Sequence, residues 1–407
     1  MNRDRFRRAR REIVGLADAG LDWVSLAQAT GEVLAGIVPF DRSCWHTVDP
    51  GTVLFTGSLN QNIGCSGTWL ATYEYLVEDV NKWWFLARSG RIAGATSLAT
   101  HGDLSRSARH RSHETYGIGD ELRVSFVIGG TYWAAAGLLR EASERWFTED
   151  DVRCLSSLSE PIAHGFRRAL LVTIPGAADR PAHGPGVIVF DGDGNPESLS
   201  PGAEHWIAQM VEIPLPSTPA ESKIVQAVAA RARTTDPGQD PLQIGARSRV
   251  RTRSGAWLLL YGTRLAGGAD DRTAVIIQPA TPAAVAPLVT LAYGLSERES
   301  QVTRLCMQGV STRQMANALA LSPHTVQDHL KSIFAKTGVR SRSELVGQIF
   351  LEHYVPRWED MPDVPTGWLG KASPAPVVID PGPSPDAATV ATPSAIPAAA
   401  NPARHES

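Results

Sequence analysis

Cysteine is scarce. The chain of 407 residues has four, at positions 44, 65, 154 and 306. None stands in a CxxC pair, which excludes zinc modules of that kind and a disulfide-stapled scaffold. A reducing, cytoplasmic location is the expectation. Charge of one sign is not in excess either: 39 Lys+Arg face 42 Asp+Glu, a net charge of −3. That excludes a uniformly basic, histone-like binder and leaves room only for a local basic patch. Long apolar runs are missing as well. Six arginines in Met1–Arg11 are followed by no apolar stretch, so no secretory signal is expected. The charge-free stretch Thr273–Ser296 is interrupted by Pro279, Pro282 and Pro287. It reads as a strand followed by a proline-rich linker, and no membrane partner is expected. There is no GxxxxGK(S/T) phosphate loop, and no nucleophile–base pair or metal set whose spacing carries chemistry. Neither an enzyme activity nor a cofactor nor a metal is expected.

With 20% charged and 43% hydrophobic residues, most of the chain can bury a core. Residues 1–14 read as a basic N-terminal arm. A first block covers 15–172. In it, Leu21–Ile37 is helical, Cys44–Val48 is a strand, and Leu122–Leu139 is a strand pair hinged at Gly129-Gly130. Thr148 caps a closing helix whose first turn is acidic. Residues 173–185 form a linker and 186–279 a second block. There, Arg247, Arg249, Arg251 and Arg253 alternate along a strand and share one face, read as solvated and paired with acidic neighbours. Residues 280–290 are a second linker, and 291–356 are all helix. The tail 357–407 is rich in Pro and Ala and reads as disordered, because it has too little apolar surface to fold.

The segment Leu295–Tyr354 is the most informative. Ser296-x-x-Glu299, Ser311-x-x-Gln314 and Ser341-x-x-Glu344 are capping boxes, and Ser322-Pro323 is an N-cap before a first-turn proline. Gly309 and Gly338 stand where the first and third helices should end. Apolar residues mark one face of each helix: Val302, Leu305 and Cys306; Met315, Ala316 and Leu319; Val326, Leu330, Ile333 and Phe334; Leu345, Val346, Ile349 and Phe350. Only Ala320 and Leu321 separate the second helix from the third, which is the tight turn of a helix-turn-helix. The third helix keeps His324, Thr325, Gln327, Asp328 and Lys331 for the opposite face, where they can meet base edges. Residues 294–358 carry eight Lys+Arg against five Asp+Glu. A solvated face of a small helical bundle is the alternative from chemistry alone.

The run LSERESQVTRLCMQGVSTRQMANALALSPHTVQDHLKSIFAKTGVRSRSELVGQIF closely resembles the LuxR-type (GerE/NarL-like) helix-turn-helix family. The resemblance implies that the third helix is the recognition helix. Gln327, Asp328 and Lys331 would then face bases or nearby phosphates, with Ser311, Ser322, His324, Thr325, Lys336 and Arg340 beside them or near the backbone. It also implies a homodimer through the fourth helix (Val346, Ile349, Phe350). Double-stranded DNA is the expected partner, and RNA polymerase a further candidate. The family often has Lys at position 327 and Asn at 328, where this chain has Gln and Asp. Gln327 is suited to adenine, and Asp328 to cytosine N4 or to rejecting wrong sequences.

The first block, through VPFDRSCWHTVDPGTVLFTGSL and GIGDELRVSF, resembles a GAF domain. The second, through VIVFDGDGNPESLSPGAEHWIAQM and RVRTRSGAWLLLYGTRL, resembles a PAS-like domain. The expected fold is therefore multidomain: an α+β GAF-like domain, an α+β PAS-like domain, an all-α four-helix domain and a disordered tail. Trp45, Trp69, Trp83, Trp84 and Trp133 are candidates for an aromatic pocket holding an unknown small molecule, with ordinary core packing as the rival for each. His110-x-x-His113-Glu114 reads as a surface loop rather than a metal site, and Asp191 as a turn residue rather than a phosphate acceptor. The expected function is sequence-specific transcriptional regulation under control of a ligand or partner at the first block. The alternative is a DNA-binding interaction or dimerisation hub without a small-molecule ligand.

Overall fold

The computed structural model describes residues 3–113, 117–172, 184–234, 245–265 and 271–353; for 113, 282–283 and 348–353 only the backbone is described. The expected tail at 357–407 and most of the expected linker at 173–185 lie outside those residues.

The chain opens with α1 (Arg3–Asp18) and α2 (Trp23–Ala35). The expected basic arm is therefore wrong. Ala9, Ile13 and Ala17 fall four residues apart and are buried, while the six arginines stay exposed on the other side. Next come β1 (Arg42–Asp49), β2 (Leu54–Gln61), α3 (Gly67–Ala71), α4 (Trp83–Ser89), β3 (Ala93–Ala95), α5 (Thr96–Ala99) and α6 (Ala108–His113). The hairpin of β4 (Ile118–Ile128) and β5 (Thr131–Glu141) turns on Gly129 and Gly130, both at positive φ, as a two-residue loop demands. The long α7 (Glu149–Ala169) starts at a complete Thr148/Asp151 capping box. The second block adds β6 (Gly186–Phe190), β7 (Pro196–Leu199), α8 (Pro201–Gln209), β8 (Glu212–Ile213), α9 (Lys223–Thr234), β9 (Arg247–Arg251), β10 (Trp257–Leu265) and β11 (Arg272–Pro279).

Two sheets result. The first has the order β3-β4-β5-β1-β2-β8, and the second β7-β6-β11-β10-β9. The blocks are not independent, because β8 from the second block pairs in parallel with β2 of the first. On one face of the first sheet, α1, α2 and α7 enclose a core around Trp45, Phe126 and Phe166, whose rings stack. The other face shares a core with the second sheet, and α9 lies between them, against both β2 and β10. Its alanine-rich sequence suits that place: every residue from Lys223 to Ala230 is buried. Beside this core, Arg123 bridges Glu74 and Glu121, and Arg109 bridges Glu121 and Asp79, all nearly inaccessible.

The arginine stripe is solvated only at its two ends. Arg249 is buried against Asp49 of β1: its Nη2 donates at 2.6 Å, its Nε at 2.8 Å and its backbone N–H at 3.0 Å. Arg251 is held by the carbonyls of Leu170 and Val172, and Arg253 by that of Met210. Arg247 and Arg253 stay exposed. Closure of the second block over the first removed Arg249, and in part Arg251, from water.

The expected linker at 280–290 is also corrected. Pro282 takes the first turn of a helix, where its missing N–H costs nothing, and α10 runs Pro282–Ala292. Val285, Leu288, Val289 and Ala292 are buried in the core of α1, α2 and α7. Arg249 Nη1 reaches the Ala284 carbonyl at 3.4 Å, tying α10 to the same ion pair. No helix among the described residues is long and apolar enough to cross a membrane.

Removing one partner of a buried ion pair leaves an uncompensated charge and costs about 3–5 kcal/mol, whereas apolar replacement of both is often nearly neutral. Asp49→Ala should therefore lower stability in urea unfolding by about that amount, and Asp49→Leu combined with Arg249→Met should recover most of it. A double variant as unstable as the single one would show that the pair is not the tie described.

Candidate nucleic-acid interface

The last four helices are α11 (Glu297–Met307), α12 (Thr312–Leu319), α13 (Pro323–Thr337) and α14 (Arg342–His353). Ser296/Glu299 and Ser311/Gln314 form complete capping boxes. Ser322 accepts from the Thr325 N–H ahead of Pro323. At the fourth start, Ser341 accepts from the Glu344 N–H, but the Glu344 carboxylate takes the Arg340 N–H, one residue earlier than a capping box would place it. Gly309 and Gly338 have φ of 73° and 76°, as expected for residues past a helix end. Ala320 closes α12 in the left-handed region, the sharpest point of the turn into α13.

These helices have their own core of Val302, Cys306, Met315, Ala316, Val326, Leu330, Ile333 and Leu345, with Leu305, Leu319 and Phe334 against it. Each was legible from periodicity. Val346 of the expected dimer contact is half-buried; the side chains of Ile349 and Phe350 lie outside the described residues.

Opposite this core, α13 presents His324, Gln327, Asp328 and Lys331 to solvent. Asp328 sits between two basic side chains, 3.1 Å from His324 Nδ1 and 3.6 Å from Lys331 Nζ. Exposed pairs of this kind contribute little and rearrange easily. Gln327 makes no side-chain hydrogen bond among the described residues, so its amide is available to a donor–acceptor edge. Thr325 shares a 2.8 Å hydrogen bond with Ser322, and Ser311 and Arg340 are exposed at helix starts.

Lys336 is placed otherwise than as a free backbone contact. Its Nζ donates at 2.6 Å to Glu299, whose side chain is only 6% exposed. Ser332, one turn earlier, donates to the other carboxylate oxygen at 2.6 Å. Glu299 was legible only as a helix cap. Its second task, fastening α11 to α13, depends on a pairing across 37 positions that local spacing does not reveal. Burial opposes the charge, but hydrogen bonds from Lys336, Ser332 and Ser296 prevail and hold the carboxyl down at about 2.

The five candidate tryptophans do not line one cavity. Trp45 and Trp133 belong to the core under α1, α2 and α7, and Trp83 to the core on the opposite face of the sheet. Trp69 and Trp84 border two different surface clefts. His110 lies on α6; the His113 side chain and Glu114 lie outside the described residues. The Asp191 carboxylate accepts from the backbone and side chain of Asn195, which commits it to a turn.

The four capped helices, the two-residue turn and the solvent-facing polar strip of α13 define a helix-turn-helix domain. Residues 294–348 match the family model described as bacterial regulatory proteins of the luxR family. The spore germination protein GerE of Bacillus subtilis is 34% identical over 55 residues, 14% of this chain and 74% of that protein. An HTH-type regulator from the exeN 3′ region of Aeromonas salmonicida is 39% identical over 61 residues, 15% of this chain and 31% of that protein. An HTH-type regulator of Mycobacterium bovis is 43% identical over 54 residues, 13% of this chain but only 6% of its own length. The chain belongs to the LuxR family of bacterial regulatory proteins. The solved E. coli DhaR(N)–DhaL complex aligns with 68% of this chain and 88% of its own at 11% identity, with a TM-score of 0.20, which assigns no fold.

A carboxyl held at about 2 in the folded domain, against 4.5 ordinarily, contributes stability that is complete above pH 4.5 and is lost as pH falls through about 2. The size is on the order of 3 kcal/mol. A fragment 288–356 should be folded and helical by circular dichroism and should lose that stability across this window. Glu299→Gln should start lower and respond less to pH. Parallel acid titrations of the two would count against the clamp.

Proposed function

We propose that the chain is a transcriptional regulator that binds double-stranded DNA sequence-specifically through α13, as a homodimer, under control of a ligand or partner sensed by the two-sheet unit. The carrying observation is the solvent-facing strip of Gln327, Asp328 and Lys331 on the third helix of a LuxR-type domain. Such a helix fits the major groove, and its side-chain amide and carboxylate match base edges rather than phosphate. Pairing of Asp328 with His324 and Lys331 offsets the repulsion a bare carboxylate would meet near the backbone. Two copies joined through α14 would read half-sites about one helical turn apart, ~34 Å. The GAF-like and PAS-like readings of the blocks fit a sensing role, and the shared core around α9 favours one input unit over two. A cytoplasmic location fits this reading.

The test is binding to a randomised operator library at two salt concentrations. Gln327→Ala should change the preferred base at one position, with a cost of about 1–3 kcal/mol on the original site. Arg340→Ala should weaken all sequences alike and reduce the salt slope by about one unit. Lys336→Ala should also weaken all sequences, and additionally lower the melting temperature because it frees Glu299. Unchanged sequence profiles for both Gln327→Ala and Asp328→Ala would show that α13 does not read bases.

A further inference from the structure

A cleft of about 400 Å³ lies where the two blocks meet, bounded by Asn60 of β2, Cys65, Trp69 of α3, the 214–217 loop, Glu221 and Lys223 at the start of α9. That volume suits a small metabolite. Lys223 is 4% exposed, yet forms no ion pair among the described residues. Its obvious counter-ion is engaged elsewhere: Glu212 accepts from Ser222 Oγ and from the backbone N–H groups of Lys223 and Ile224. Glu221 borders the cleft but does not come within ion-pair distance of Lys223.

The adjoining sheet surface is equally unsatisfied. Asn60 is 8% exposed, and its Oδ1 has no partner; its Nδ2 reaches only the Cys65 sulfur at 3.6 Å. Ser58, two residues earlier on the same face of β2, has an unpartnered buried hydroxyl. His46, directly opposite Ser58 in the β1–β2 register, has both ring nitrogens buried and unpartnered. Burial, then the nearby charges of Lys223 and Arg123, push His46 well below its ordinary range, so the ring is neutral. A neutral imidazole has one donor and one acceptor to offer. Buried polar groups are ordinarily satisfied, so an unpartnered Asn60 Oδ1 and an unpaired Lys223 lining one cleft, with Ser58 and His46 behind them, require an explanation.

We propose that this cleft is a binding site for a small organic carboxylate. The carboxylate meets Lys223 Nζ and the Asn60 amide, and its planar or apolar body lies along Trp69. The inference rests on the reading of the two-sheet unit as the input unit and names the chemical class of its ligand. The site draws on both blocks, so an occupant holds β2 and the start of α9 together.

Thermal unfolding of the full chain without DNA tests it, with a panel of benzoate, phenylacetate and 2-oxoglutarate, the neutral amides benzamide and phenylacetamide, and inorganic phosphate. At least one carboxylate should raise the melting temperature saturably by roughly 2–4 °C at concentrations up to ~10 mM, and neither amide should. Asn60→Leu should lose the shift. Lys223→Met should lose it too, yet unfold at a higher temperature than the unliganded parent, because an unpaired buried charge is replaced by an apolar chain of similar length. The proposal is overturned if no carboxylate shifts the parent chain, if phosphate or an amide does so equally, or if Lys223→Met unfolds at a lower temperature. Because no DNA is present, a failed shift leaves the DNA-binding reading intact, and a failure to bind DNA leaves the shift to be measured.

Discussion

The ion pair of Arg249 with Asp49 ties the two sheets and α10 to one another. One guanidinium on β9 reaches Asp49 of β1 and the Ala284 carbonyl of α10, so a single buried side chain joins both sheets to the helix that leads into the last domain. A charge this deep is tolerated only because Asp49 supplies both carboxylate oxygens to it. The consequence is mechanical. A shift of one sheet against the other moves the group that grips α10, and α10 in turn packs on α11 and α14.

The helix-turn-helix domain has its own fastening of the same chemical kind. Glu299 caps α11 and, through Lys336 and Ser332, fixes α13 against it. The orientation of α13 within the domain is thus held by a buried carboxylate, while Gln327, Asp328 and Lys331 stay exposed at the surface.

Much of this was legible in the sequence, and the boundary of legibility is physical. The helix-turn-helix domain is built from contacts within 60 residues and announces each helix start with a serine. Caps, stop glycines and core positions were therefore readable from spacing alone. The β4–β5 hairpin was readable for the same reason, through Gly129-Gly130. What failed depended on distant partners. Arg3 to Arg11 looked like an arm because arginine dominates it, but Ala9, Ile13 and Ala17 suffice to dock a helix once α7 is in place. Pro282 and Pro287 suggested a linker, yet a proline in the first turn is compatible with helix, and the adjoining core rewards burial of Val285, Leu288 and Val289. The arginine stripe was seen, but its acidic partner stood 200 positions away. Of the candidate tryptophans, Trp45, Trp83 and Trp133 are core while Trp69 and Trp84 border separate clefts, and the polar residues around Lys223 were not singled out, since only the fold brings Asn60 and Lys223 to one cleft.

On the function proposed above, α10 joins the two-sheet unit energetically to the helix-turn-helix domain. By reciprocity, what the input unit does to DNA binding, DNA must do to the input unit. Amide hydrogen exchange on the full chain, with and without its selected operator duplex, measures this directly. The account predicts altered protection in α10 and in β9 around Arg249, as well as in α11 to α14. Changes confined to α11 to α14, with α10 and β9 unaffected by the duplex, would contradict it.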